Sequence, residues 1–221
     1  AASMAQDACV IPVASAHLSW QRAAGAAYYD IVRNGAPLAT TTDLSYAGSL
    51  DANATTTFKI VAHKRTGMTS TSTPVEIGMV AQPVVINEIA WSGEFKFASN
   101  QWIELANHIN RTIDISHVVL RNETNSIFIP LSQSLAPGNT FATANQYLLL
   151  QNVDDAIFAT GGQRMTTPFS LAQTGEHLVL EWSDGFATTT IDQTPPIAAC
   201  GGWCAGTNDY RSMERNLDVG D

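Results

Sequence analysis

Basic residues are scarce in this chain. Its 221 residues include 11 Lys and Arg against 20 Asp and Glu, which gives a formal net charge of -9 at pH 7. The charges of residues 1–80 cancel, so all of the excess acid lies after residue 80. Because an acidic surface repels phosphate backbones, the sequence argues against nucleic acid as a partner.

Long apolar runs are absent as well. A membrane-spanning helix needs about 20 consecutive apolar residues, and no run in the sequence approaches that length. Apolar residues still make up 45% of the chain and charged residues only 14%, a composition that can build a buried core and is unlike that of a disordered protein. The sequence therefore predicts a folded protein with no membrane insertion.

Motifs of catalysis and metal binding are also missing. The sequence contains no HExxH, P-loop, GxSxG elbow or GxGxxG, and its five histidines are dispersed without a second His at metal-ligand spacing. Its scattered aspartates do not form the alternating pattern of a calcium loop. Oxygen ligands can nevertheless come from separate loops, which leaves a surface calcium site open. We therefore expect no enzyme activity and no cofactor, with surface calcium as the remaining alternative.

The chain has only three cysteines. Cys200 and Cys204 lie in the segment CGGWC, where two glycines allow the backbone to turn tightly enough for the sulfurs to meet. No second Cys or His pair follows, so the spacing does not indicate a metal site. We predict a Cys200–Cys204 disulfide, with two free thiols as the alternative. A disulfide implies an oxidising setting, and hence a secreted or cell-surface protein. Cys9 stands alone.

Strand-like segments recur about every ten residues, with turn residues between them. Alternation of apolar and polar residues, β-branched residues and Thr-rich flanks all favour strands over helices. Only residues 153–160 (VDDAIFAT) are typical of a short helix, with two aspartates in the first turn, where the helix dipole favours negative charge. The pattern predicts an all-β fold of two β-sandwich domains in tandem. A Thr/Ser-rich approach followed by Pro83 places the boundary near residues 78–83, because proline cannot donate to a strand ladder.

The first predicted domain, residues 8–78, resembles a fibronectin type III domain. The resemblance is carried by LSW at 18–20, YYDIVRNG at 28–35 and FKIVA at 58–62. Asn34 and Gly35 both tolerate positive φ and are expected to form a hairpin turn. Trp20 is expected to fill the core, as the early tryptophan of that family does. The position of the family's corner tyrosine is occupied by Thr56, which cannot supply the same ring and hydroxyl contact.

The second predicted domain, residues 83–217, resembles a bacterial lamin-tail domain, an immunoglobulin-like β-sandwich. The matching segments occur in the order INEIAW, QWIELAN, IDIS, LAPG, YLLL, GEHLVL and SMER. The residues that the resemblance marks as structural are Asn87, Glu88, Trp102, Glu104 and Asn107. This resemblance implies a protein that supplies surfaces and not chemistry.

Four polar residues interrupt the two apolar segments at the start of this domain. Glu88 and Glu104 could face each other across paired strands and act as acid and base or hold a cation, although either task needs further groups. Alternatively Asn87, Glu88, Glu104 and Asn107 satisfy backbone groups at the rim of the sandwich. Trp102 alternates with apolar neighbours and is expected in the core.

Trp91 and Trp203 are the candidate interaction residues. Exposed aromatic side chains on rigid loops commonly anchor protein or sugar partners. Alternatively Trp203 folds back and caps the end of the sandwich. We expect a non-enzymatic, extracytoplasmic interaction or assembly module whose partner is a protein, including a second copy of the chain. The alternatives are accessory domains of a larger secreted hydrolase or nuclease, and a carbohydrate-binding module.

Overall fold

The computed structural model describes residues 9–12, 14–51, 54–109, 112–135, 146–153 and 163–216. Strands dominate the described residues, which confirms the predicted all-β fold class. The chain divides into two compact units, Ala1–Ala81 and Gln82–Asp221, and this division falls inside the expected window of residues 78–83. None of the helices in the described residues is long and apolar enough to cross a bilayer.

The described residues of the first unit form two sheets. Its strands are β1 Cys9–Ile11, β2 Ser15–Ser19, β3 Ala26–Arg33, β4 Ala36–Thr41, β5 Ser45–Ser49, β6 Thr55–Lys64, β7 Thr69–Thr71 and β8 Val75–Met79. The larger sheet has the order β1-β8-β6-β3-β4, with β7 also paired to β6, and the smaller sheet pairs β2 with β5. All the pairs are antiparallel except β1 with β8.

The Asn34–Gly35 turn between β3 and β4 is confirmed. Both residues have positive φ, 50° and 82°, as a two-residue hairpin turn requires. Trp20 is half-buried instead of filling the core, and its ring meets Tyr29 edge-on with the centroids 5.6 Å apart. Thr56 is fully buried, and its hydroxyl has no hydrogen-bond partner among the described residues.

Within its described residues, the second unit forms two larger sheets and one small one. Its elements are β9 Val84–Ala90, β10 Trp102–Asn107, β11 Ile113–Asp114, β12 Val118–Asn122, β13 Phe128–Pro130, β14 Ser134–Leu135, β15 Tyr147–Gln151, β16 Gln163–Thr166, β17 Leu178–Ser183, β18 Thr188–Gln193, α1 Ile197–Cys200 and β19 Met213–Glu214. The sheets have the orders β16-β15-β10-β9-β19, β13-β12-β17-β18 and β11-β14.

Each large sheet of the second unit buries one set of alternating side chains. The fully buried side chains of the five-stranded sheet include Ile103, Leu105, Leu148 and Leu150, and those of the four-stranded sheet include Leu120, Leu178 and Leu180. Burying each such side chain stabilises the fold by about 1.5–3 kcal/mol. The repeat of two follows from the strand pleat, which turns successive side chains to opposite faces.

The expectation that Trp102 lies in the core is wrong. Trp102 is half-buried, whereas Ile103 and Leu105 are fully buried. Side chains two positions apart on a strand lie on the same face, so Trp102 shares the face of Glu104 and not that of the core. The predicted helix falls almost entirely on residues 154–160, which lie outside the described residues, as do residues 136–138 of the LAPG turn.

A partly buried ion pair lies beside the part of β9 that β19 does not reach. The Arg215 guanidinium donates to both carboxylate oxygens of Asp192, at 2.6 and 2.7 Å. The Ile86 N–H donates to Asp192 at 2.7 Å, and the Ile86 carbonyl accepts a hydrogen bond from Arg215 Nε at 3.1 Å. Burial raises the pKa of Asp192 above its ordinary value, while the Ile86 N–H and Arg215 oppose that rise. The pair thus gives the Ile86 backbone the partners that a neighbouring strand would otherwise supply.

Candidate interaction surface

The two glutamates singled out by sequence do lie opposite each other. Glu104 on β10 pairs with Glu88 on β9, and Glu88 pairs in turn with Glu214 on β19, so three carboxylates form a row across three strands. Asn87 donates to Glu104 at 2.8 Å, and the Ser212 hydroxyl donates to Glu88. Burial raises the pKa of Glu104, the Asn87 hydrogen bond lowers it, and the charges of Glu88 and Glu214 raise it further.

The other polar residues of the motif have structural contacts. The Asn107 amide donates to the Leu135 carbonyl at 3.3 Å and accepts the Ile109 N–H at 3.0 Å, which is the predicted role of satisfying rim backbone. Asn87 is instead bonded to the neighbouring carboxylate. Across the described residues, no group of three or more His, Cys, Asp or Glu is arranged to hold a metal ion.

Trp91 and Trp203 are not the exposed anchors that the sequence predicts. Trp91 is only 5% exposed, Trp203 is half-buried, and their rings stack at 6.1 Å with an interplanar angle of 9°. The Trp91 indole N–H donates to the Ala205 carbonyl at 3.1 Å, and the Trp203 indole N–H donates to the Ala172 carbonyl at 2.8 Å. Both indoles therefore hold loops together, because each has its ring and its only donor engaged inside the unit.

The exposed aromatic side chains of this region are three others. Phe95 is 81% exposed, Phe97 53% and Tyr210 37%, and the Phe95 and Tyr210 rings meet edge-on with centroids 5.8 Å apart. We call these three residues the aromatic knob. Two chain segments contribute to it, residues 94–97 after β9 and residues 207–211 before β19. The knob was not predicted from the sequence. The segment Phe-Lys-Phe at residues 95–97, in the short polar break after Gly93, could have indicated exposed aromatic side chains in a turn.

A tight turn presents the two phenylalanines. Glu94 and Phe97 exchange backbone hydrogen bonds of 3.1 and 2.9 Å, which leaves Phe95 and Lys96 at the tip of a two-residue hairpin. Gly93 enters this turn with a φ of 72°, and a Cβ there would lie 2.3 Å from the Ala98 carbonyl oxygen. Only glycine fits this position, so the backbone of the turn is tightly defined.

The base of this loop is fixed by the Gln101 amide. The Gln101 side-chain nitrogen donates to the carbonyls of Trp91 and Leu171, at 2.7 and 2.9 Å, and its oxygen accepts the Leu171 N–H at 2.7 Å. The side chain is buried, and a buried polar group is costly to leave without partners. These three bonds hold the chain just before the knob to a distant loop of the same unit.

The second segment of the knob is equally constrained. Thr207 and Arg211 form a bridge, and a Cβ at Gly206 would lie 2.7 Å from both the Trp91 indole nitrogen and the Arg211 carbonyl oxygen. Tyr210 has a φ of 65°, an outlier for a bulky aromatic residue that surrounding structure must enforce. The Trp91 indole therefore links the two segments that carry the knob.

The predicted Cys200–Cys204 disulfide is confirmed. It joins the end of α1 to the segment that leads to the knob, with a Cα–Cα distance of 5.1 Å. Gly202, between the two cysteines, packs closely on Gly175. A Cβ added at Gly175 would lie 2.8 Å from the Gly202 backbone. The disulfide loop is thus pressed against the chain just before β17.

The two segments of the knob contain two cations, Lys96 and Arg211, and two acids, Glu94 and Asp209. Lys96 and Arg211 flank its rings and are exposed, and neither side chain has an ion-pair partner within the part of the chain that the structure describes. By contrast, Arg121 is paired with Glu181 at 2.5 Å and Arg215 with Asp192. The two cations of the knob are therefore available to an external acidic group.

Comparisons with known proteins do not identify the chain. No family model and no curated protein matches it. Among solved structures it is similar to a chain described as a biofilm associated protein, BSP domain, with 12% identity and a TM-score of 0.25. The match covers 86% of this chain but only 30% of that one, and at so low a TM-score we draw no argument from it.

Proposed function

We propose that this chain is a non-enzymatic interaction module that acts outside the cytoplasm, in adhesion or assembly, and that the aromatic knob is its binding surface. The observation that carries the proposal is the presentation of Phe95, Phe97 and Tyr210 by two rigid loops. Exposed aromatic groups on preorganised loops are the side chains that most often dominate binding energy at protein interfaces. They also lose little conformational freedom when bound.

The remaining support comes from the disulfide and from the resemblance in sequence. A Cys200–Cys204 bond persists in oxidising compartments, which favours a secreted or surface location. The resemblance to lamin-tail and fibronectin type III domains is in keeping with a protein that offers surfaces. A carbohydrate-binding role has less support, because Trp91 and Trp203 stack on each other and leave no indole face of Trp91 open to a sugar.

Site-specific photocrosslinking tests the proposal. A benzophenone amino acid is placed at position 95 in the full chain, and a matched variant carries it at Phe186, which is 78% exposed in a hairpin turn. Cells that produce the protein are irradiated, and crosslinked products are identified by mass spectrometry. We expect a discrete protein adduct from position 95 and none from position 186. No adduct from position 95, or the same adducts from both positions, would rule out the knob as the binding surface.

The non-enzymatic part of the proposal needs its own test. The Glu88–Glu104 pair is the arrangement that most resembles an acid–base site, since two carboxylates in different environments are the basis of such chemistry. The purified chain is screened against generic ester, phosphodiester and glycoside substrates, with and without divalent metals. We expect no turnover. Turnover that disappears in Glu88→Gln or Glu104→Gln, with the circular dichroism spectrum of the folded protein unchanged, would show an enzyme instead.

A further inference from the structure

The outer edge of β19 carries backbone groups that no strand pairs. β19 is the last strand of its sheet and pairs only with β9, through Met213 and Glu214. The Arg215 N–H extends this ladder and donates to the Asn87 carbonyl at 2.8 Å. Alternate residues of an antiparallel strand turn their N–H and C=O to the same neighbour, so those of Glu214 point away from β9. Neither group has a hydrogen-bond partner among the described residues.

A groove lies at this edge. Its volume is about 500 Å³, within the range of about 300–1,000 Å³ that is usual for ligand sites. Its apolar lining includes Met213 of β19, the buried Ile86 and Ile89 of β9, and Pro195 and Pro196, which follow β18. Met213 lies opposite Ile89 and so shares the inner face of the sheet. An added strand would turn every second side chain to that face and into the groove.

The wall across from β19 offers apolar surface in place of a competing strand. β18 ends at Gln193, and Pro195 and Pro196 are both exposed. Proline has no N–H to donate to a ladder. The Pro196 carbonyl already accepts the Ala199 N–H at 2.8 Å. An extended segment in the groove therefore pairs with β19 and only packs against the prolines.

The two charged residues of this edge differ in their pairing. Arg215 donates to both carboxylate oxygens of Asp192, so its charge is matched within the chain. Glu214 is exposed and forms no ion pair with the residues that the structure describes. It ends the carboxylate row that also contains Glu104 and Glu88. A basic residue placed opposite Glu214 would be stabilised by this row, whereas an acidic one would be repelled.

We propose that the edge of β19 is a second binding site, which takes an extended segment of a partner protein as one more antiparallel strand. The residue opposite Glu214 exchanges both backbone hydrogen bonds with it and is Lys or Arg. The residues on either side of that cation are apolar, because their side chains turn to the face of Met213 and enter the groove. Addition of a strand to an open sheet edge is a recurring mode of peptide recognition.

The partner is a different protein, and the site is separate from the aromatic knob. Residues 95–97 of this chain have the same order of apolar, basic and apolar side chains, but Glu94 and Phe97 close them into a tight turn, so they are not extended. None of Phe95, Phe97 and Tyr210 lines the groove. The site therefore does not depend on the knob.

Titration of the full chain with matched synthetic peptides, followed by NMR, tests the chemistry of this site. The peptide TSIKIST should shift the amide signals of residues 193–194 and 213–216. TSIEIST has Glu in place of Lys and should bind at least about fivefold more weakly, because a like charge then faces Glu214. TSIKIST with a methyl group on the Lys backbone nitrogen cannot donate to the Glu214 carbonyl, and should bind at least about tenfold more weakly. Equal binding of the three peptides, or no shifts at these residues, would overturn the proposal.

Three variants of the full chain locate the site. Glu214→Pro removes the N–H that points away from β9 and keeps the ladder to β9, and it should weaken TSIKIST binding at least about tenfold. Ala205→Arg fills the groove from an exposed position and should have the same effect, so it also serves if Glu214→Pro does not fold. Phe95→Ser should bind the peptide like the parent. Unchanged circular dichroism spectra show that each variant is folded.

The outcomes separate this site from the knob. If the folded Ala205→Arg variant binds TSIKIST like the parent, the groove is not the site and the proposal is wrong. If Phe95→Ser loses the peptide, the knob binds it and the second site is wrong. Failure of position 95 to crosslink to a protein would remove the proposed function of the knob and leave the β19 site standing.

Discussion

Two loops of the second unit expose a phenylalanine to nearly the same extent, yet they are constructed differently. Phe95 is 81% exposed and Phe186 is 78% exposed. The turn at Phe186 is held by the Asp184 carboxylate, which accepts the backbone N–H groups of Phe186 and Ala187 at 2.9 Å each. Gly185 in that turn has open space around it, whereas Gly93 is packed against backbone.

The loop of Phe95 is supported by contacts from the interior of the unit. Gln101 ties its base to Leu171, and Phe95 meets Tyr210 from a second loop. Exposure alone therefore does not distinguish a binding surface from an ordinary turn. The distinction lies in how much buried structure is devoted to holding the exposed ring in place, because a preorganised ring loses less entropy when it binds.

The largest difference in stability is expected when the polar side chain that holds each loop is removed. Gln101→Leu leaves the Leu171 N–H and carbonyl without their partners, and each orphaned buried group costs about 1–3 kcal/mol, so the free energy of unfolding should fall by about 4 kcal/mol. The matched change Asp184→Ala removes exposed turn contacts and should cost about 1 kcal/mol. Chemical denaturation of both variants measures the difference, and equal losses would contradict it.

The two glycines provide the next comparison. Gly93→Ala forces both a positive φ and a backbone clash, and should destabilise the unit by about 3 kcal/mol. Gly185→Ala carries only the cost of a φ of 86°, about 1 kcal/mol, because nothing lies within 4 Å of its Cβ position. Thermal unfolding of the two variants measures this difference in stability. Similar melting temperatures would mean that the Phe95 turn adapts easily.

The disulfide should have a smaller effect that is local to the knob. Cys204→Ser opens a loop with a sequence separation of 4, and closing so short a loop stabilises the folded state by about 2 kcal/mol in the chain-entropy account. Hydrogen exchange should then accelerate in residues 201–211 and stay unchanged in the turn at Phe186. Acceleration in both regions would show that the disulfide supports the whole unit.

The smallest effect is expected away from both loops, at Glu104. The folded-state pKa of Glu104 is raised above 4.5, so the folded protein binds more protons than the unfolded chain just above that pH, and this contribution to stability is lost as pH rises. Glu104→Gln cannot ionise, so the variant avoids this loss of stability as pH rises. Its amide oxygen still accepts the hydrogen bond from Asn87. Its melting temperature should exceed that of the parent by about 1–3 °C at pH 7 and equal it near pH 4. A lower melting temperature at pH 7 would contradict the direction of the shift.

Local chemistry predicted part of this structure well. Asn34-Gly35 gave a hairpin turn, the spacing of Cys200 and Cys204 gave a disulfide, and polar interruptions placed Glu88 opposite Glu104. Each of these features depends on backbone conformations or on strand pairing over a few residues, which is information that the sequence carries directly.

Exposure was harder to predict. Strand alternation assigns Trp102 and Ile103 to opposite faces, but it does not say which face meets the other sheet. The prediction placed the larger side chain, Trp102, in the core, whereas Ile103 is the buried one. In the same way, Trp91 was expected to be an exposed interaction residue, but it is buried. Its burial depends on Ala205 and Trp203, more than 110 residues later, and no local pattern records that contact.

Hydroxyl-radical footprinting compares the two phenylalanines within a single sample, and so tests the central claim most directly. The chain is oxidised once as a dilute purified protein and once in intact cultures of the cells that produce it, and side-chain oxidation is read by mass spectrometry. We expect oxidation of Phe95 to fall several-fold in the cellular sample, because a bound partner would bury its ring in the interface core. Oxidation of Phe186 should stay constant. Equal oxidation of both rings in both samples would contradict the assignment of the aromatic knob as the binding surface.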